Sequence, residues 1–165
     1  MRSGACALLV VSALAGAGAR TAPDETARIR SHDKRVVAAM DEARRRSSTF
    51  RGLYDRVERS DLIIYVEPGR CPSIYVLSCL SVSAAAPDVR YLRITIDTQH
   101  SQGVIIQQIA HELQHAVEIA GAPTVADAAG LRALYRRIGR PGLNPDIFET
   151  TAALAMTAAV SSEVK

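Results

Sequence analysis

The sequence lacks several features that would assign its class at once. It has no tryptophan, and aromatic side chains make up only 4% of its 165 residues, so its core must rest on Val, Ile, Leu and Ala. The net charge is only +3 and the basic residues are scattered, which gives no support for nucleic-acid binding. With 48% apolar and 22% charged residues, the composition is that of one ordinary globular domain.

The N-terminus has no apolar run long enough for a membrane anchor. Arg2 precedes an apolar segment from Ala7 to Leu14, and Ala17-Gly18-Ala19 has the small residues of a cleavage site. This segment is shorter than the roughly 20 residues of a typical membrane span. We therefore expect residues 1–19 to be a signal peptide, with the mature protein secreted or periplasmic and without a stable membrane anchor.

Cysteine is also scarce, with three in the whole chain. Cys6 lies within the expected signal peptide, which leaves Cys71 and Cys79 in the mature protein. A pair of cysteines in an oxidising compartment favours a disulfide. Two free buried thiols or a soft metal site are the alternatives, and spacing alone does not decide among them.

Hydrophobic periodicity predicts two helices, three strands, a histidine-containing helix and two further helices. The expected helices cover residues 34–46, 48–57, 103–120, 125–138 and 146–160, and the expected strands cover 62–67, 73–83 and 89–97. A Gly-Pro-rich loop is expected at 139–145. Residues 20–33 are polar and expected to be frayed, so the single domain is predicted to span residues 34–165.

The feature that carries chemistry is the pentapeptide His111-Glu112-Leu113-Gln114-His115. On a helix its two histidines lie four residues apart on one face, where both imidazoles can bind one zinc ion. Glu112 between them can accept a proton from a zinc-activated water. The flanking residues support a helix with apolar and polar faces, begun by Ser101 and ended by Gly121. A merely solvated polar face is the alternative interpretation.

This pentapeptide, preceded by a small sheet, resembles the minimal architecture of zincin metallopeptidases. The resemblance implies an α+β fold with a small, mostly antiparallel sheet packed on the active-site helix, and N- and C-terminal helices flanking them. It also implies that the edge strand of the sheet pairs with an extended peptide substrate. Such pairing adds main-chain hydrogen bonds that are largely indifferent to the substrate's sequence.

A catalytic zinc needs a third protein ligand, and its identity separates the zincin branches. The metzincin pattern is excluded because Glu118 and Gly121 occupy the positions of its Gly and His. Asp127 lacks the Gly-Thr-x-Asp setting of aspzincins and is a weak candidate. Glu118 lies about 10 Å along the helix from His111, too far for both to bind one small ion. We expect Glu118 to support a ligand or to be a solvated acid.

Glu149 is the preferred third ligand. It lies 34 positions after His115 in an expected helix, and it begins an E-x-x-A pattern. This arrangement resembles the gluzincin branch, in which a following antiparallel helix supplies a glutamate. The alternative is an acid placed at a helix N-terminus by the helix dipole.

These residues predict an exported zinc metallopeptidase that acts on peptides or proteins. His111, His115 and Glu149 would hold Zn²⁺, and Glu112 would act as general base. Tyr135 or His100 could stabilise the oxyanion, although Tyr135 also has the spacing of a core residue. The alternatives are a non-catalytic exported binding or scaffold module, and a catalytic fragment that needs a partner subunit. The sequence indicates neither the substrate nor the oligomeric state.

Overall fold

A computed structural model describes residues 26–141 and 147–165, so the expected signal peptide lies outside the described residues. The predicted α+β class is confirmed. The helices are α1 (Lys34–Arg46), α2 (Ser48–Glu58), α3 (Gln102–Ala120), α4 (Ala128–Ile138) and α5 (Thr151–Glu163). The strands are β1 (Ile29–Arg30), β2 (Leu62–Pro68), β3 (Ser78–Ala86), β4 (Val89–Ile96), β5 (Arg140–Pro141) and β6 (Phe148–Glu149).

Short polar side chains fix where four of these helices begin. Asp33 accepts hydrogen bonds from the first turn of α1, Ser47 from that of α2, Asp127 from that of α4 and Thr150 from that of α5. Each cap satisfies a backbone N–H that has no partner within its helix. The α4 helix therefore begins at Ala128 and not at Val125 as predicted. Ser101 is the N-cap residue of α3, but its side chain makes no capping bond.

The four-stranded sheet is mixed, and the prediction of a mostly antiparallel sheet is wrong. Its order is β1-β2-β4-β3, in which β1 and β4 run parallel to β2, and only β3 runs antiparallel to its neighbour β4. The physical reason is that the chain reverses direction between β2 and β3 and again in the β3–β4 hairpin, so β4 runs in the same direction as β2. Because β4 lies beside β2, this pairing is parallel, and β3 is left at the edge of the sheet.

The ends of two predicted segments differ from expectation. Ile29 and Arg30 pair with Ile64 and Tyr65, so the end of the segment expected to be frayed belongs to the sheet. The Glu58 carboxylate supports this strand by accepting hydrogen bonds from the backbone N–H groups of residues 28 and 29. Strand β3 begins at Ser78 and not at residue 73, because residues 71–77 form turns and loop instead.

Cys71 and Cys79 form a disulfide that closes the loop leading into β3. Two apolar side chains in this loop, Ile74 and Tyr75, are 88% and 72% exposed. The disulfide therefore fixes both ends of an exposed apolar loop next to the edge strand.

The α3 helix is the centre of the molecule. One face of the sheet contributes buried Leu and Ile side chains to the core, and α3 packs against the sheet, α1, α2 and α5. Even the polar side chains Gln108, Gln114 and His115 of α3 are buried. Its polar face is therefore covered by protein, which argues against a merely solvated surface.

Arg90, a buried residue on β4, holds the C-terminal end of α3. Its guanidinium donates to the carbonyl oxygens of Ile119, Ala122 and Val125 at 2.9–3.2 Å, and it pairs with Asp61. A cation at this end of a helix also interacts favourably with the helix dipole. The sheet and the histidine helix are thus joined at this point.

Across residues 26–141 and 147–165, no helix combines the length and the apolarity needed to cross a membrane.

Candidate metal centre

Three side chains that the sequence predicts as metal ligands lie together. His111 and His115 project from α3, and Glu149 lies in β6 directly before α5. Nε2 of His111 is 3.3 Å from Oε1 of Glu149, and Nε2 of His115 is 3.7 Å from the same oxygen. One donor atom from each residue lies within 4.8 Å of the other two.

The chemistry of this group fits zinc. Two imidazole nitrogens and one carboxylate oxygen form a common catalytic zinc set that leaves a fourth position open. Zinc binds such donors at about 2.0–2.1 Å, which places tetrahedral ligands roughly 3.3 Å apart. The two nitrogen-to-oxygen distances, 3.3 and 3.7 Å, are close to this value, and all three donors lie within 4.8 Å of one another, so the side chains would have to close further around an ion.

Hydrogen bonds orient both imidazoles for this role. His115 donates from Nδ1 to the Glu118 carboxylate at 2.9 Å. Thr157 donates its only hydroxyl proton to the carbonyl of Ala153, so it accepts from Nδ1 of His111 at 3.1 Å. In each ring Nδ1 is therefore engaged by its hydrogen-bond partner, and Nε2 faces Glu149. Such outer hydrogen bonds fix the tautomer and orientation of metal-binding histidines.

The Glu149 position corrects the sequence prediction. Glu149 does not lie inside a helix, because the side chain of Thr150 caps the backbone N–H of Ala153 and α5 begins only at Thr151. Thr150 has the extended backbone typical of an N-cap residue, and Glu149 before it pairs with Arg140 in a short strand pair. The carboxylate is thus supplied from β6, unlike the helix-borne glutamate that the gluzincin resemblance implies.

Glu112 lies beside the three donors and is almost fully buried. Ser78, the first residue of the edge strand β3, donates from Oγ to Oε1 of Glu112 at 2.7 Å. Burial raises the pKa of Glu112, although the charge of His115 and the Ser78 hydrogen bond oppose this shift. An acid with a raised pKa is suited to accept a proton and later release it.

The two histidines differ in their electrostatics. Burial, assisted by the nearby His115, lowers the pKa of His111 to about 4. Burial also opposes the charged form of His115, but the hydrogen bond to Glu118 and the surrounding acids outweigh burial and raise its pKa. A neutral His111 at neutral pH keeps its Nε2 lone pair available for a metal.

The donors open into a cavity of about 190 Å³. Glu112 shares this cavity with the three donors, and apolar side chains from β3, α4 and β6 complete its wall, among them Leu80, Leu131 and Phe148. Tyr135 also lines it, with its hydroxyl donating to the carbonyl of His115 at 3.3 Å. Its ring packs edge-to-face on the His115 ring, so Tyr135 is at once a buried packing residue and part of the cavity wall.

Two other residues, which the sequence offers as an oxyanion donor and as a third ligand, do not line this cavity. His100 lies in the loop before α3 and approaches Asp97 at 3.6 Å. Asp127 is exposed and caps α4 through the backbone N–H of Gly130. Neither residue is therefore a candidate ligand or oxyanion donor.

Sequence reasoning missed the hydroxyl groups of the site. Ser78, Thr150 and Thr157 hold Glu112, Glu118 and His111 respectively. Thr157 lies seven residues, about two helical turns, after the N-cap residue Thr150. This spacing places both hydroxyls on one side of α5 and is a signal in the sequence for their shared role. Glu118 supports a histidine and is not one of the three donors, in agreement with its distance from His111 along the helix.

Comparison with protein-family models, with curated protein sequences and with solved structures gives no significant match for this chain. Any functional interpretation therefore depends on the geometry of the site itself.

Proposed function

We propose that this protein is a zinc-dependent peptidase, exported after removal of residues 1–19. The observation that carries the proposal is that both histidine Nε2 atoms and a Glu149 oxygen converge in one cavity, with buried Glu112 beside them. The Cys71–Cys79 disulfide supports export, because disulfides persist mainly in oxidising compartments. We retain the zincin-like class, with its third ligand supplied from a strand.

His111, His115 and Glu149 would hold the metal. A bound zinc would acidify a water molecule and polarise the scissile carbonyl. Glu112 would accept a proton from the attacking water as the water oxygen adds to the carbonyl carbon. When the carbon–nitrogen bond breaks, Glu112 passes the proton to the departing amine nitrogen. Ser78 keeps the Glu112 carboxylate in place throughout.

Zinc content and hydrolysis test this proposal separately. Wild-type protein should contain one zinc per chain by mass spectrometry and should cleave members of a peptide library, with activity lost to a chelator and restored by zinc. Glu112→Gln should keep its zinc but lose roughly 10²–10⁴-fold in kcat. Glu149→Ala should lose both zinc and activity. The matched control is Glu67→Gln, which changes a surface acid paired with Arg93 and should alter neither property.

Two results would contradict the proposal in different ways. Wild-type protein that stays free of zinc under zinc-replete conditions would exclude the metal centre. Stoichiometric zinc without cleavage of any peptide would instead support the alternative of a non-catalytic binding module.

A further inference from the structure

One charged side chain on the cavity wall takes no part in the proposed metal centre. Arg132 lies on α4, directly after Leu131 and three residues before Tyr135, and all three residues line the cavity. Residues three apart on a helix face the same side. Arg132 is therefore an exposed cation on the wall of the cavity that contains the candidate ligands.

Arg132 has no acidic partner in the described part of the chain. It is exposed, and it forms neither an ion pair nor a hydrogen bond with any residue in 26–141 or 147–165. The acids that share its cavity are already engaged: Glu112 accepts from Ser78, and Glu149 faces the two histidines. Among the described residues, none therefore competes with an entering molecule for the charge of Arg132.

The wall next to Arg132 is apolar. Leu131, its neighbour on α4, lines the cavity together with Ile147 and Phe148 and with Leu80 of the edge strand β3. A guanidinium beside an apolar wall is complementary to a carboxylate on a ligand that also carries an apolar group, because Arg binds carboxylates through two parallel hydrogen bonds.

We propose that Arg132 selects substrates carrying a carboxylate next to an apolar residue near the scissile bond. This inference rests on the proposed peptidase function and names its substrate class. The carboxylate can belong to an Asp or Glu side chain or to the C-terminus of the peptide. Both sources present the same anion to Arg132, so they must be separated by experiment.

Binding and cleavage of matched peptides test the inference. The panel holds one apolar core sequence in four forms, with Glu or Gln beside the apolar residue and with a free or amidated C-terminus. Binding is measured by calorimetry on zinc-loaded Glu112→Gln protein, and cleavage by kcat and KM on the active protein. The preferred carboxylate should tighten binding and lower KM by about five-fold, the effect of an exposed charge pair, and high salt should weaken this preference.

Variants of α4 assign the preference to one side chain. Arg132→Ala should abolish it, Arg132→Lys should retain part of it, and Arg132→Glu should reverse it. The matched control is Arg136→Ala, which removes an exposed arginine of the same helix that does not line the cavity. If the Glu form is preferred, the anion is a side chain; if the free C-terminus is preferred, it is the terminal carboxylate.

The outcomes separate this inference from the proposed function. Equal binding of all four peptides, or the same preference in Arg132→Ala as in wild type, would overturn the role of Arg132 whether or not the peptides are cleaved. A carboxylate preference that disappears in Arg132→Ala would support the inference even if no peptide is cleaved. In that case only the proposed peptidase activity would be contradicted.

Discussion

At the scale of single residues, the two candidate histidine ligands are held by different acceptors. His115 donates to the Glu118 carboxylate, whereas His111 donates to the neutral hydroxyl of Thr157. The partially buried Glu118 keeps its charge, because the hydrogen bonds from His115 and Thr150 lower its pKa despite the opposing effect of burial. A charged acceptor increases the basicity of an imidazole more than a neutral one does.

Zinc affinity should therefore depend on both acceptors. Glu118→Gln and Thr157→Val should each raise the Kd for zinc about 10–100-fold, the range typical of outer hydrogen-bond partners. Titration against a chromophoric chelator measures the change. Thr157→Ser is the matched control, because it keeps the hydroxyl and should bind zinc like the wild type.

Circular dichroism would confirm that the Glu118→Gln variant is folded, since Glu118 also accepts a hydrogen bond from the Thr150 hydroxyl next to α5. Wild-type zinc affinity in folded Glu118→Gln and Thr157→Val would show that these contacts do not orient the ligands.

At the scale of elements, the end of α3 is fixed by one buried side chain. Arg90 is only 4% exposed and donates to three carbonyls near the C-terminal end of α3. Asp61 offers its carboxylate to the other side of the guanidinium, and this contact lowers the pKa of Asp61. The same arginine thereby connects β4 to the helix that carries the candidate ligands.

Replacing this arginine should destabilise the fold. Arg90→Met leaves three carbonyls with one donor fewer and removes the partner of Asp61, so we expect a loss of about 3 kcal/mol in the free energy of unfolding. Urea denaturation measures it. Arg93→Met on the same strand is the control, because Arg93 is exposed and its removal should cost less than about 1 kcal/mol. Equal stability of the two variants would contradict a structural role for Arg90.

Some elements could be predicted from the sequence and others could not. The apolar spacing around His111 and His115 predicts α3, because amphipathic periodicity is local. The parallel pairing of β2 with β4 is not local, since it depends on whether β3 or β4 of the hairpin lies beside β2. The apolar residues on both sides of Glu149 predict a helix that includes it. The N-cap preference of Thr150 was the signal that α5 begins later.

Local sequence patterns do not predict the contacts within the site. The pentapeptide predicts which residues carry the chemistry, but the partners of His111 and Glu112 lie 46 and 34 residues away in the chain. Only the packing of α5 and β3 against α3 brings Thr157 and Ser78 into contact with them.

At the scale of the whole molecule, one carboxylate of the C-terminal helix gathers the hydrogen bonds at the start of α2. Glu163 of α5 accepts hydrogen bonds from the hydroxyls of Ser47, Ser48 and Thr49 and from the backbone N–H of Thr49. These donors surround the N-terminus of α2, where the helix dipole also favours a negative charge. The contact holds α5, which carries Thr157, against the rest of the fold.

This attachment should make stability depend on acid pH. The Ser47 hydrogen bond, with those of Thr49 and Ser48, lowers the pKa of Glu163 to about 2 in the folded state, against 4.5 as the ordinary value. Because the folded pKa is the lower one, the contribution of Glu163 is fully present above about pH 4.5 and is lost as the pH falls toward 2.

Unfolding by urea between pH 7 and pH 2.5 should show Glu163→Gln less stable than wild type at neutral pH, with the difference shrinking on acidification. Asp55→Asn, which changes an exposed acid of α2 without an ion pair in the described residues, should show no such convergence. A constant difference between wild type and Glu163→Gln at every pH would show that the charge of Glu163 does not contribute to stability.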